Sequence, residues 1–236
     1  MEVLRPVPLP YGEGSGHTVL HQLIAKALEE LELRERAIGV CSVGATFLMY
    51  DFFNIDFASA PPGRAVSVAT GLKRAQPQAA VFTYQGDGDA LGSGFNDLVQ
   101  AVARNERITC FIVNNGVMEL SGGHLSPTTP VGARTATTPE GRDAAVHGVP
   151  LRACEMLAAI GTPARIERVA LDTPAHVEAA AVAVREALRF AHAGTGTAVL
   201  EVLAAHGAGE SGRDAARERM AGLVKQFPLG VFGGKK

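Results

Sequence analysis

Four glycines and two aspartates crowd into QGDGDALGSGF, Gln85 to Phe95, directly behind the apolar run AVFTY. Residues of these types behind a strand could make a phosphate cradle, an acidic metal site or only a tight turn. A G-x-G-x-x-G dinucleotide fingerprint begins correctly at Gly86 and Gly88 but meets Leu91 where the third glycine belongs. No Gly-Lys-Ser/Thr follows, so a P-loop is absent as well. What remains is Asp87, pinned between Gly86 and Gly88 and followed by Asp89. Glycine lets the backbone approach an anion, a following helix N-terminus favours negative charge, and a carboxylate beside an anion calls for a cation. Magnesium with a diphosphate meets all three requirements, because Mg²⁺ takes hard oxygen ligands, one or two of them carboxylates. VNNGV, Val113 to Val117, offers further oxygens at the end of the next apolar run.

The elements that must position these residues follow from periodicity. HTVLHQLIAKALEELEL, His17 to Leu33, places Leu20, Leu23, Ile24, Ala27 and Leu28 on one stripe, an amphipathic helix. AIGVCSV (37–43), AVFTY (80–84) and ITCFIV (108–113) read as strands, the last two continuously apolar, as in a parallel sheet covered on both faces. Between them SGFNDLVQAVARNE (93–106) repeats Phe95, Leu98, Val99 and Val102 at helical spacing, giving a βαβ unit with a right-handed crossover. RIERVA, a long helix from Thr173 as N-cap to Gly194 as C-cap, and TAVLEVL repeat the pattern. The predicted fold is α/β, a mainly parallel sheet with helices on both faces, in one domain over 1–236.

Two stretches leave that rhythm. Residues 121–150, rich in Gly, Pro and Thr, form a loop long enough to be functional or partner-binding, a disordered linker being the alternative. Residues 213–236 read as a short helix and a docking tail with exposed Phe227, Leu229, Val231 and Phe232.

Composition narrows the class. With 236 residues a substantial core is expected, and a net charge of -2 with no basic cluster argues against nucleic acid. Cys41, Cys110 and Cys154 are odd in number and far apart, pointing to a reduced, cytoplasmic setting without a CxxC metal half-site. The start of the sequence has no apolar stretch long enough for a signal peptide, and no run of eighteen apolar residues suggests a membrane span.

GDGD, a helix, a strand and NN, with Asn115 lying 28 positions after Asp87, resembles the diphosphate-binding motif of thiamine-diphosphate (ThDP) enzymes. A turn aspartate and an Asx-turn asparagine would explain either residue alone but not the pair. APPGRAVSVATGLKRAQP, VFTYQGDGDALGSG, SGGHLSPTT and FPLGVF are similar to the β subunit of 2-oxoacid:ferredoxin oxidoreductases over nearly the whole chain. The resemblance implies a ThDP-binding half-site in which Asp87, Asn115 and the Val117 carbonyl hold Mg²⁺ and Gly86 and Gly88 admit the diphosphate. Asp89 belongs to the same cofactor-binding motif. Met118, Glu119 and Leu120 would flank the thiazolium, and His124 could move a proton beside it. A separate α (or α/γ) subunit would bring the pyrimidine-binding half and an activating glutamate. Cleavage of the C1–C2 bond of a 2-oxoacid would then proceed through a ThDP enamine, with coenzyme A and a ferredoxin or flavin as possible further partners.

The departures from that family are specific. A Cys-Pro-Gly-Cys-Gly-His motif is replaced by YGEGSGH, with Gly12 and Ser15 at the cysteine positions and only His17 kept; two further family cysteines fall near Ala45 and His206. Iron-sulfur clusters are held by thiolates, so no [4Fe-4S] cluster is expected in this chain. Pro62, Met118, Glu119 and His124 also replace family residues, which implies a rebuilt substrate side. Phe47, Met49, Tyr50, Phe52 and Phe53 form an apolar cluster that fits core, interface or pocket. Three functions stay open: an oxidoreductase whose electrons leave through a partner, a non-redox ThDP decarboxylase, carboligase or C–C lyase, and a non-catalytic scaffold, which intact Asp87 and Asn115 disfavour.

Overall fold

The computed structural model describes residues 2–9, 11, 15–44, 49–204 and 209–233, with the side chains of Leu120 and residues 209–215 outside that set. Gly12, Ala45, Phe47 and His206 therefore lie outside the described residues. Strands β1 (Ala37–Cys41), β2 (Asp56–Ser59), β3 (Ala80–Gly86), β4 (Thr109–Asn114), β7 (Arg165–Ala170), β8 (Ala198–Leu203) and β9 (Gly230–Gly233) form one sheet in the order β2-β1-β3-β4-β8-β7-β9. Every pairing is parallel except β7 with β9. The short strands β5 (Val117–Met118) and β6 (His124–Leu125) make a separate antiparallel ribbon.

Strand residues alternate between two buried faces, as the continuously apolar runs require. Phe82, Tyr84, Phe111 and Val113 pack with Leu20, Ile24 and Leu28 of α1 (Gly16–Glu30) and Val184 and Leu188 of α7 (Pro174–His192). On the other face Val81, Cys110 and Ile112 meet Val66 and Ala69 of α3 (Ala65–Ala75), Leu98 and Val102 of α4 (Phe95–Ala103) and Leu157 of α6 (Ala153–Ala158). Met49 and Phe52 of α2 (Met49–Phe52), with Phe53, are core residues, whereas Tyr50 is exposed. Helices on both faces of a parallel sheet are the expected architecture. The predicted caps of α7 hold closely: Thr173 Oγ1 accepts from His176 N–H at 3.2 Å, and Gly194, at φ 80°, lies one residue past the capping Ala193.

The segment 121–150 is fastened from within. Besides β6 it holds one short helix, α5 (Ala144–His147), and the buried Arg142. Arg142 donates to six carbonyls, those of Ser126, Pro127, Thr129, His147, Gly148 and Val149. A planar five-donor fork suits such a task, since irregular backbone leaves carbonyls without ladder partners.

The C-terminal segment differs from the exposed tail expected. Helix α8 (Gly209–Gln226) leads to a fully buried Phe227, and β9 pairs with the outer edge of β7, leaving Leu229 and Phe232 half-buried. The tail docks on the chain's own sheet, covering an edge that would otherwise carry unpaired backbone groups. Replacing Arg142 with Met should orphan buried carbonyls and lower stability by about 2–3 kcal/mol, read by urea denaturation, with proteolytic cleavage appearing first in 126–149. An unchanged midpoint and cleavage pattern would remove Arg142 as the fastening of this loop.

Candidate functional site

The register of β3 and β4 builds the site. Gly86 pairs with Val113, so the next residues out, Asp87 and Asn114, leave the same edge of the sheet side by side. β1 has β2 on one side and β3 on the other, so the strand order reverses between β1 and β3, where open α/β sheets bind ligands. Asp87 then turns the chain into a wide π-helical turn, Gly88–Ser93, before α4.

Asp87 is 2% exposed. Its carboxylate accepts from the hydroxyls of Ser126 and Thr128 and, at 2.9 Å, from the Gly88 N–H. Burial pushes its pKa up to about 6, against the lowering effect of those three donors, and the nearby Glu201 adds to the rise. Asn115 makes an Asx turn, its Oδ1 accepting from Val117 N–H at 3.1 Å, which brings the Asn115 amide and the Val117 residue into one tight loop. Among the described residues no three His, Cys, Asp or Glu side chains come together to hold a metal. A cation at this edge would rest on one carboxylate supplemented by amide and carbonyl oxygens, the kind of donor set magnesium takes.

The two glycines beside Asp87 differ. A Cβ on Gly86 would meet nothing within 4 Å, so that side of the backbone is open. A Cβ on Gly88 would lie 2.5 Å from Met118 Cγ, so Gly88 makes room for the Met118 side chain. Asp89 is a clamp: Gly63 N–H and Gln85 Nε2 each donate to it at 2.6 Å, and Ser42 Oγ lies 3.2 Å away. Gly63 has φ 74°, and a Cβ there would lie 2.4 Å from the Ser93 backbone, so this loop fits only without a side chain. Met118 and His124 face one another as a register pair of the β5–β6 ribbon, both half-buried. Leu120 lies in the turn just after Met118, its side chain outside the described set. His17 is buried with Nδ1 2.8 Å from Tyr84 Oη. Ser15, where the resemblance puts a cluster cysteine, caps α1 by accepting from His17 N–H. All three cysteines are buried free thiols.

Sequence reasoning missed the residues beneath Asp87. Asn114 Nδ2 donates to Glu201 Oε1 at 2.7 Å while its Oδ1 accepts from Gly116 N–H at 3.0 Å and lies 2.9 Å from Thr128 Oγ1. Glu201 Oε2 accepts from Arg168 Nε at 2.8 Å, and both side chains are fully buried. The available signal was a lone carboxylate, Glu201, in the otherwise apolar AVLEVL; Arg168 is one of three charged residues in RIERVA and gave no such signal.

A family model for "Thiamine pyrophosphate enzyme, C-terminal TPP binding domain" matches residues 38–202, a span that contains Asp87, Asn115 and Glu201. The chain belongs to the thiamine pyrophosphate enzymes. Within this family it is similar to ketoisovalerate oxidoreductase subunit VorA of Methanothermobacter thermautotrophicus, 41% identical over 198 residues, which cover 84% of this chain and 42% of the relative. The 2-oxoglutarate synthase subunit KorB of Archaeoglobus fulgidus is 36% identical over 108 residues, 46% of this chain and 40% of the relative. The chain thus spans about two fifths of the length of these relatives. The homologues of this thiamine pyrophosphate enzyme chain are 2-oxoacid oxidoreductase subunits, which bears out the resemblance read from the motifs. The fold is shared with a 2-oxoglutarate:ferredoxin oxidoreductase from Magnetococcus marinus, solved with 2-oxoglutarate, coenzyme A and succinyl-CoA bound: TM-score 0.78, 20% identity, 99% of this chain and 84% of that one.

A pH prediction follows from Asp87. The carboxyl titrates near 4 in an unfolded chain and near 6 in the fold. Its contribution is fully present below pH 4 and is lost as pH rises to about 6, where the folded state must ionise a buried group. The loss is about 3 kcal/mol. In EDTA, the difference in urea stability between the chain and Asp87→Asn should shift by that order between pH 4 and pH 7. A constant difference would show that Asp87 is not the titrating group.

Proposed function

We propose that this chain is the diphosphate-binding half of the ThDP site of a heteromeric 2-oxoacid oxidoreductase-like enzyme, and that it carries no iron-sulfur cluster. The observation that supports this best is a buried carboxylate, met only by neutral donors and pushed up to about 6, at the switch point of a parallel sheet. Such a group is suited to a cation. The residues fit the cofactor: Asp87, the Asn115 side chain and the Val117 carbonyl would hold Mg²⁺, and the open side of Gly86 leaves space for the diphosphate. Gly88 and Asp89 shape the loop that presents Asp87. ThDP, when bound, supplies the electron sink that cleavage of a 2-oxoacid C1–C2 bond requires.

The chain's own residues bind, shield and serve that group. Met118 lies against Gly88 and would wall the thiazolium side together with Glu119 and Leu120. His124, paired with Met118, would hold or move a proton at its imidazole nitrogen. The activating glutamate and the pyrimidine half would come from an α (or α/γ) subunit, with a 2-oxoacid and coenzyme A as small-molecule partners. Electrons would leave through a ferredoxin or flavin partner. No helix among the described residues is long and apolar enough to cross a membrane; we place the enzyme in the cytoplasm. The second reading, a non-redox decarboxylase, carboligase or C–C lyase, is favoured by Gly12 and Ser15 standing where cluster cysteines would be.

Asp87→Ala should abolish retention of ThDP and Mg²⁺ while leaving the circular dichroism spectrum unchanged; retained cofactor would overturn the metal assignment. With its partner subunit, ThDP, Mg²⁺ and 2-oxoacids, coenzyme A-dependent viologen reduction supports the oxidoreductase, and product formed without an acceptor supports the lyase. Stoichiometric iron assigned to this chain after anaerobic purification would sink the cluster-free reading.

A further inference from the structure

Beneath the candidate cofactor edge, ionised and polar side chains run in an unbroken line through the core. It passes from Asp87 to Thr128, from Thr128 to Asn114, from Asn114 to Glu201, and from Glu201 to Arg168. Arg168 is 0% exposed, reaches the Glu155 carboxylate at 2.7 Å and donates to the Pro228 carbonyl at 3.0 Å. Its guanidinium sits between two rings of the C-terminal segment, 5.1 Å from the centroid of Phe227 and 5.0 Å from that of Phe232. Stability alone does not call for this arrangement, since a buried ion pair is commonly replaced by apolar residues of similar volume at no loss.

What the pair does supply is direction. An asparagine amide has one donor end and one acceptor end, and Glu201, an acceptor only, holds the nitrogen of Asn114 inward while Gly116 N–H, a donor only, holds its oxygen from the other side. The Asn114 oxygen must then face Gly116 N–H and the Thr128 hydroxyl. Thr128 has a single hydroxyl proton and three oxygens within reach, Asp87 Oδ2, Asn114 Oδ1 and Ser126 Oγ. With the amide locked, Asn114 Oδ1 competes with Asp87 Oδ2 for that proton and weakens the hold of Thr128 on Asp87. With the amide free to rotate, its NH₂ would face Thr128 and the hydroxyl proton would go to Asp87.

We infer that the Arg168–Glu201 pair is a positioning device for the Asp87 edge: it fixes the Asn114 amide, which sets the hydrogen bonding of Thr128 and Asp87, and the seating of β9 on Arg168 holds the device in place. This rests on the cofactor reading above for its purpose but not for its geometry. Glu201 and Arg168 are positioning residues, working through Asn114 from beneath the site.

The test uses the full chain without cofactor and the double variant Arg168→Met/Glu201→Met, which fills the same space without charge. At a retained melting temperature, amide hydrogen exchange in 113–118 and 126–130 should quicken about tenfold while β1 and α3 stay protected, and Mg²⁺–ThDP affinity should fall on the order of tenfold, as for lost outer-shell support. Glu201→Gln, whose oxygen stays on Arg168 so that its NH₂ meets the Asn114 amide, and Phe232→Ala, which loosens Arg168, should each give a rise at the same two segments. If the double variant does not fold, these two decide. Unchanged exchange at 113–118 and 126–130 in the folded variants overturns the inference. Exchange differences in the variants together with a wild-type chain that gains no protection from Mg²⁺ and ThDP would count against the cofactor reading alone.

Discussion

A carboxylate shut away from water at the carboxyl end of a parallel strand governs the arrangement around it. Asp87 cannot be buried without donors, and the fold brings them from a distance: Ser126 and Thr128 stand 39 and 41 residues further along. That need accounts for the order of segment 121–150. Its irregular backbone is pinned by one guanidinium, and the pinning keeps two hydroxyls on target. The same edge needs Asn114 beside Asp87, which the β3–β4 register provides.

Two buried arginines solve the problem of a cation in the core in different ways. Arg142 is surrounded by carbonyl oxygens, so its charge is spread over backbone dipoles, and burial draws its pKa down. Arg168 lies between two aromatic faces and is matched by two carboxylates; burial draws its pKa down, but the Glu155 and Glu201 carboxylates drive it upward overall. The first arginine orders a loop; the second ties three strands and the end of α8 to one centre. Neither could be exchanged for lysine without losing donors, because both use the width of the fork.

Much of this was legible in the sequence, and the reasons for the rest are physical. Strands buried on both faces announce themselves as apolar runs, so β3, β4 and β8 were read nearly to the residue, and β7 was read from the strand–helix–strand repeat. Asp87, Asn115 and Val117 were singled out through the resemblance of GDGD and NN to a diphosphate-binding motif, and the sheet register brings the ends of the two strands that carry them together. β2 and β9 were missed: each is short and lies at a sheet edge, without a long apolar run. Phe227 was read as exposed because burial there depends on pairing with β7, a partner some sixty residues away. The side chains beneath Asp87 were invisible for the same reason, since only the β4–β8–β7 order makes Asn114, Glu201 and Arg168 neighbours.

The polar line through the core also has a kinetic meaning. Its links join residues 41, 14, 87, 33 and 60 positions apart, and the whole line is complete only when β3, β4, β8, β7 and segment 121–150 have assembled. Contacts of such separation form slowly, because the loss of loop entropy precedes the gain. The edge bearing Asp87 is thus among the last parts of the molecule to become native. The cation site proposed at that edge would therefore take shape only once the fold is complete, which would make ligand capture and structural maturity a single event.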